Sequence, residues 1–90
     1  MEENAVYSRK ENLIAADMNG ETVMMDIETG KYYNLGRTGG AIWELLEKPM
    51  TLSEITDALL EKYDVDADTC RVQTSKFLDQ GIARGLFAKA

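Results

Sequence analysis

The sequence predicts an α+β domain in which a three-stranded antiparallel sheet is followed by a three-helix bundle. Three observations carry this. Asn19-Gly20 joins two extended runs, 13–18 and 21–27. Gly30 then leads into a third short run, Tyr32-Tyr33-Asn34-Leu35. From Thr38 onward apolar residues recur three and four apart, broken at Pro49 and again at Tyr63-Asp64-Val65-Asp66. A chain of 90 residues holds one domain with a thin core, 1–90. Residues 1–12 are polar and of mixed charge, and read as a frayed lead-in or the end of an extra strand.

The first hairpin follows from its turn. Asn-Gly supplies the two positive φ values of a type I′ turn, so Met18 faces Glu21, Ala16 faces Val23 and Ile14 faces Met25. Opposed residues share a face. Ile14, Ala16, Val23, Met25 and Ile27 therefore form the expected buried face, with Leu13 and Met24 as apolar exceptions on the polar one. The second turn has two readings. A two-residue Thr29-Gly30 loop pairs Met24 with Leu35. A three-residue loop, 28–30, ending in a left-handed glycine pairs Met25 with Tyr33 and Val23 with Leu35. The second is preferred, because a slip of one residue turns Leu35 away from the assumed core. Tyr33 and Leu35 then face inward, Tyr32 and Asn34 outward, and Tyr32 lies across from Asp26.

Thr38 is the expected cap of the first helix, with Ala41, Ile42, Leu45 and Leu46 on its inner face and Pro49 after its end. Thr51 with Glu54 is a capping box opening the second helix, whose apolar stripe is Leu52, Ile55, Leu59 and Leu60, ending near Tyr63. Asp66 caps the third, which carries Cys70, Phe77, Leu78 and Ile82. Gly85 is its C′ residue, with Leu86 folding back. Gly81 inside that helix costs about 1 kcal/mol relative to alanine.

Composition removes several functions. There are 16 acids against 10 bases, a net charge of −6. Such a chain lacks the clustered positive surface that non-specific binding to nucleic acid or anionic lipid needs. It contains no histidine, which removes Ser-His-Asp and Cys-His catalysis and most zinc sites. Cys70 is the only cysteine, so no internal disulfide forms, and a reducing cytoplasm is the simplest compartment. The N-terminus has no apolar signal core. Gly36, Gly39 and Gly40 are not followed by Gly-Lys-Ser/Thr and form no phosphate loop. They are expected to turn the chain from strand to helix. Glu54, Asp57 and Glu61 read as a solvated helix face. No catalytic constellation emerges, and neither cofactor nor metal is expected.

The third strand is an exposed edge that invites another strand, protected only by Lys31 at its start. Left open, it is suited to β-augmentation by a peptide. The runs "DIETGKYYNL", "TGGAIWELLEKPMTLSEITDALLEKYDVD" and "FLDQGIARGLF" resemble the PqqD-like domains, the recognition elements for precursor peptides of ribosomally made, post-translationally modified products. The marks are Gly30 with the following aromatic and leucine, Gly39 with Ile42-Trp43, and the 63–66 break. Two departures are Leu35-Gly36 where the family usually has Leu-Asn, and Gly81 where it usually has an apolar residue. The latter implies a looser third helix.

The resemblance implies a winged-helix-like bundle behind the sheet and a non-catalytic adaptor that takes the leader of a precursor peptide as a fourth strand. A stand-alone domain of this length looks most like the leader-binding protein of lasso-peptide pathways, whose partners are a leader-cleaving cysteine protease and a cyclase. The sister reading is the pyrroloquinoline-quinone-type peptide chaperone, partnered by a radical SAM enzyme. The residues expected to meet the leader are Lys31, Tyr32, Tyr33, Asn34 and Leu35 on the strand. From the third helix they are Val72, Gln73, Lys76, Phe77 and Gln80, which lie three or four apart in overlapping pairs. A winged-helix DNA binder is the rival from another class. It would need a basic recognition helix, yet Arg71, Lys76 and Arg84 stand against Asp66, Asp68 and Asp79. A subunit with a purely structural role is the third.

Overall fold

The computed structural model describes residues 5–90. The expectation for the lead-in falls partly on residues 1–4, outside the described residues. The elements are β1 (Val6–Arg9), β2 (Leu13–Met18), β3 (Glu21–Asp26), β4 (Tyr32–Leu35), α1 (Gly36–Leu45), β5 (Met50–Thr51), α2 (Leu52–Lys62), α3 (Ala67–Ala83) and β6 (Phe87–Lys89). They form two three-stranded sheets, ordered β2-β3-β4 and β5-β1-β6, around the helices. No described helix is long and apolar enough to cross a membrane.

The first hairpin has the register its turn requires. Asn19 and Gly20 adopt φ of 58° and 87°, and Ile14 pairs with Met25, Ala16 with Val23 and Met18 with Glu21. The second turn does not follow either expected reading. Its loop spans 27–30, one residue more than expected, so Met24 rather than Met25 pairs with Tyr33, and Tyr32 pairs with Met25 rather than Asp26. Gly30 is left-handed as expected (φ 74°), but its amide donates to Asp26 O at 2.7 Å, and Ile27 joins the loop.

This register goes with the opposite core face. Met24 is 0% exposed, whereas Ile14 and Ile27 are 48% and 55% exposed. The expected apolar face of β2 and β3 is thus the open one, and its supposed exceptions Leu13 and Met24 pack on the core. The physical reason is the seat of α1. A Cβ at Gly40 would stand 2.1 Å from Thr22 Oγ1, so that helix lies close over the face of β3 that carries Thr22 and, two residues on, Met24. Gly40 makes close packing possible rather than a turn.

Thr38 is not the cap of α1, which begins at Gly36 with no side-chain cap on its first turn. Asn34 Oδ1 instead accepts from the Gly36 N–H at 2.8 Å, so the strand's last polar side chain supplies the entry bond. The other ends are as expected. Thr51 and Glu54 form the full capping box, and Asp66 accepts from Thr69 N. Gly85 (φ 80°) closes α3 with a Schellman pair, Gly85 N to Ile82 O (3.1 Å) and Leu86 N to Gly81 O (2.8 Å).

Of the two readings of the lead-in, the extra strand holds for its described part, as β1, but the second sheet it joins was unforeseen. Val6–Arg9 pairs with Phe87–Lys89 near the other end of the chain and with Met50–Thr51, burying Tyr7, Leu86 and Phe87. Arg9 fastens it to α1: its Nε and Nη2 donate to Trp43 O at 2.9 and 2.6 Å, with the guanidinium 4.3 Å from the indole centroid. The glycine at 81 does not loosen α3. A Cβ there would lie 2.2 Å from Phe87 Cδ2, so the glycine is the slot that admits the Phe87 ring.

Candidate peptide-binding groove

β4 pairs with β3 on one side and, among the described residues, has no strand on the other. Asp26 N–H donates to Lys31 O at 2.9 Å, which makes Asp26–Lys31 a hydrogen-bonded pair. Antiparallel alternation then makes Met24–Tyr33 the next such pair and leaves Met25–Tyr32 and Val23–Asn34 without ladder bonds between them. Tyr32 and Asn34 therefore direct their backbone N–H and C=O to the open side, where an added strand would meet them.

Facing that edge is α3. Gln73, Phe77, Gln80 and Arg84 follow a spacing of four, three and four, one flank of the helix. Phe77 is half-buried and packs edge-on against Phe87, centroids 5.7 Å apart. A Cβ at Gly39 would lie 2.9 Å from the Phe77 ring and 3.0 Å from Leu35 Cβ, so the strand end, α1 and α3 converge there. Arg84 reaches over the Tyr33 ring, 5.7 Å from its centroid, closing the other end.

At the convergence lies a cavity of about 350 Å³, lined by Leu35 and Ile42, Leu59 and Tyr63, and Cys70, Gln73 and Phe77 among others. Such a lining desolvates an apolar side chain while Gln73 and three threonines, Thr38, Thr69 and Thr74, offer a few polar atoms. Cys70 is buried, and its Sγ sits 3.9 Å from Thr74 Oγ1. Among the described residues no group of three His, Cys, Asp or Glu could hold a metal ion.

The expected site residues divide. Leu35, Gln73 and Phe77 line this cavity. Lys31, Tyr32, Tyr33 and Asn34 form the adjoining edge, with Tyr33 and Leu35 turned inward and Tyr32, 70% exposed, outward. Val72 and Lys76 stand on the next flank of α3, where they line a separate depression with Tyr7, Leu52 and Asp79. Gln80 also borders that depression, at the crest between the two. Spacing of three and four on a helix admits two neighbouring flanks, and the packing of α2 against α3 decides which one faces the strand. Arg84 and the cavity-lining Thr69 and Cys70 were missed. All fall at helical multiples from Phe77, a signal already present in the sequence.

An open strand edge beside an apolar cleft defines a domain built to accept an extended segment. The chain belongs to the PqqD family: the family model for coenzyme PQQ synthesis protein D matches residues 21–86. No curated protein matches the chain. Among solved structures it is similar to TbiB1 in complex with the TbiA(beta) leader peptide, at 30% identity and a TM-score of 0.80 over 89% of this chain and 93% of that one. It also shares the fold of a lasso peptide synthetase B1 complexed with the leader peptide, at 17% identity and a TM-score of 0.77 over 91% and 96%.

Proposed function

We propose that this chain is a non-catalytic adaptor of a lasso-peptide pathway, working in the cytoplasm. It binds the leader of a ribosomally made precursor as a fourth strand beside β4 and presents it to a leader-cleaving cysteine protease and a cyclase. The observation that carries this is the free edge at Tyr32 and Asn34 opening onto the cavity at Leu35 and Phe77. The 30% identity to TbiB1, solved with a leader peptide, supports it. Main-chain bonds along the edge supply affinity, and the cavity selects an apolar leader side chain. Lys31, the four β4 residues Tyr32, Tyr33, Asn34 and Leu35, and the α3 flank of Gln73, Phe77 and Gln80 make the contact. Val72 and Lys76 stand on the neighbouring flank, outside this contact. The family model also fits a peptide chaperone serving a radical SAM enzyme, which would use the same groove on a different precursor. A titration of the cognate leader, run beside a duplex-DNA gel shift at low salt, tests the reading. Saturable leader binding without a DNA shift is expected, and the reverse would replace the adaptor with a nucleic-acid binder.

A further inference from the structure

The chain is acidic, yet the end of the groove away from the cavity carries two cationic side chains, Arg84 and Lys31. Arg84 lies over Tyr33 and, among the described residues, forms no ion pair. Lys31 shares Tyr33's face of β4 by strand alternation. Three acids, Glu11, Asp26 and Glu28, line the depression beside Gly85, and two of them are held in place by hydrogen bonds. Asp26 Oδ1 accepts from the amides of Glu28 and Thr29 (2.9 and 3.3 Å), and Glu28 Oε1 accepts from Asn12 Nδ2 (3.0 Å). Near the end of α3 the carbonyls of Gln80, Gly81 and Ile82 accept from the amides of Arg84, Leu86 and Gly85.

We propose that Arg84, assisted by Lys31, selects a carboxylate side chain on the bound leader strand, at a fixed distance from the apolar residue that fills the cavity. This rests on the reading of the β4 edge as the leader's seat. The distance follows from geometry. Phe77 at the cavity and Arg84 are two helical turns apart, about 10 Å at ~1.5 Å per residue. An extended strand covers that in about three residues at ~3.3 Å each. Side chains on the groove face recur every second residue, so the acid stands two or four residues from the apolar anchor. Antiparallel pairing, the more stable arrangement, puts it on the C-terminal side. The groove thereby reads two features of a leader, an apolar anchor and an acid, and the pair fixes the register that main-chain bonds alone leave free.

The test is a selection of randomised 15-residue peptides displayed on their own mRNA, run against the parent chain, Arg84→Glu and Asn34→Pro, each checked for folding by circular dichroism. Peptides enriched on the parent should lose binding to Asn34→Pro. Aligned on their apolar anchor, they should carry Asp or Glu two or four residues away. On Arg84→Glu that position should turn to Lys or Arg. For one enriched peptide, changing its acid to the amide should weaken binding to the parent about three- to fivefold and leave binding to Arg84→Gln unchanged. Edge-dependent peptides with the same residue spectrum on the parent and Arg84→Glu would overturn the carboxylate proposal while leaving the leader's seat intact. Peptides that bind Asn34→Pro as well as the parent would overturn the seat itself.

Discussion

Proline at Asn34 separates the two sides of β4. The Asn34 N–H faces the open edge, so proline there removes no bond to β3 and stands where edge strands tolerate it. It deletes the donor that an added leader needs and places a ring against the incoming backbone. Leaving one leader carbonyl unpaired in the closed groove costs about 1–3 kcal/mol, a loss of about 5- to 150-fold in affinity. The side chain complicates the comparison, because Asn34 also accepts from Gly36 N and donates to Glu21 Oε1 at 3.1 Å. Asn34→Ala is therefore the reference: it removes both bonds and keeps the N–H. Affinity is measured by anisotropy of a labelled leader and folding by thermal melting. The two variants should melt within a few degrees of each other, while Asn34→Pro binds at least about fivefold more weakly than Asn34→Ala. Equal affinity in two folded variants would refute strand addition at this edge. Tyr33→Pro, whose N–H belongs to the β3 ladder, should instead lose stability as well as binding.

Other substitutions probe the groove walls. Phe77→Ala should reduce both leader affinity and stability, the latter by about 2–3 kcal/mol in urea unfolding, below the 3–5 of a fully buried ring because Phe77 is only partly buried. Gln73→Ala should weaken leader binding without moving the melting temperature, whereas Lys76→Glu, on the neighbouring flank, should leave both unchanged. Equal losses from the two would restore Lys76 to the groove. Gly81→Ala should destabilise the chain by about 1–3 kcal/mol despite its better helix propensity, since the new methyl collides with Phe87; a rise in melting temperature would contradict that packing. Leader affinity should fall no more than about threefold between low and moderate salt, as apolar and main-chain contacts dominate; a steep decline would mark a charge-driven interface.

Local chemistry made much of the fold legible. The Asn19-Gly20 turn, the Thr51–Glu54 box, the Asp66 cap and the Gly85 stop each depend on a few adjacent residues, and each stands where the sequence puts it. The β4 register was not legible, because a left-handed Gly30 serves a three- or four-residue loop equally. The deciding contact, α1 over Thr22 and Met24 across Gly40, is tertiary. The same contact buries Met24 and leaves Ile14 and Ile27 on the open face, reversing the pattern that apolar content alone suggested. An extra strand was one of the two readings of residues 1–12, and β1 is that strand; its partners at Met50–Thr51 and Phe87–Lys89 were not legible, because short runs carry no sign of so distant a mate. In the groove, edge polarity at β4 and one flank of α3 could be read from alternation and helical spacing. The choice between Val72 and Cys70 as neighbours of Phe77 required the position of α2.

Amide hydrogen exchange of the chain with and without its cognate leader tests strand addition at β4 most directly. The amides of Tyr33 and Leu35, which face β3, should change little. Those of Tyr32 and Asn34, directed at the open edge, should gain protection in proportion to leader occupancy. Protection that appears instead along α2, or that leaves Tyr32 and Asn34 as fast as in the free chain at saturating leader, would contradict the account.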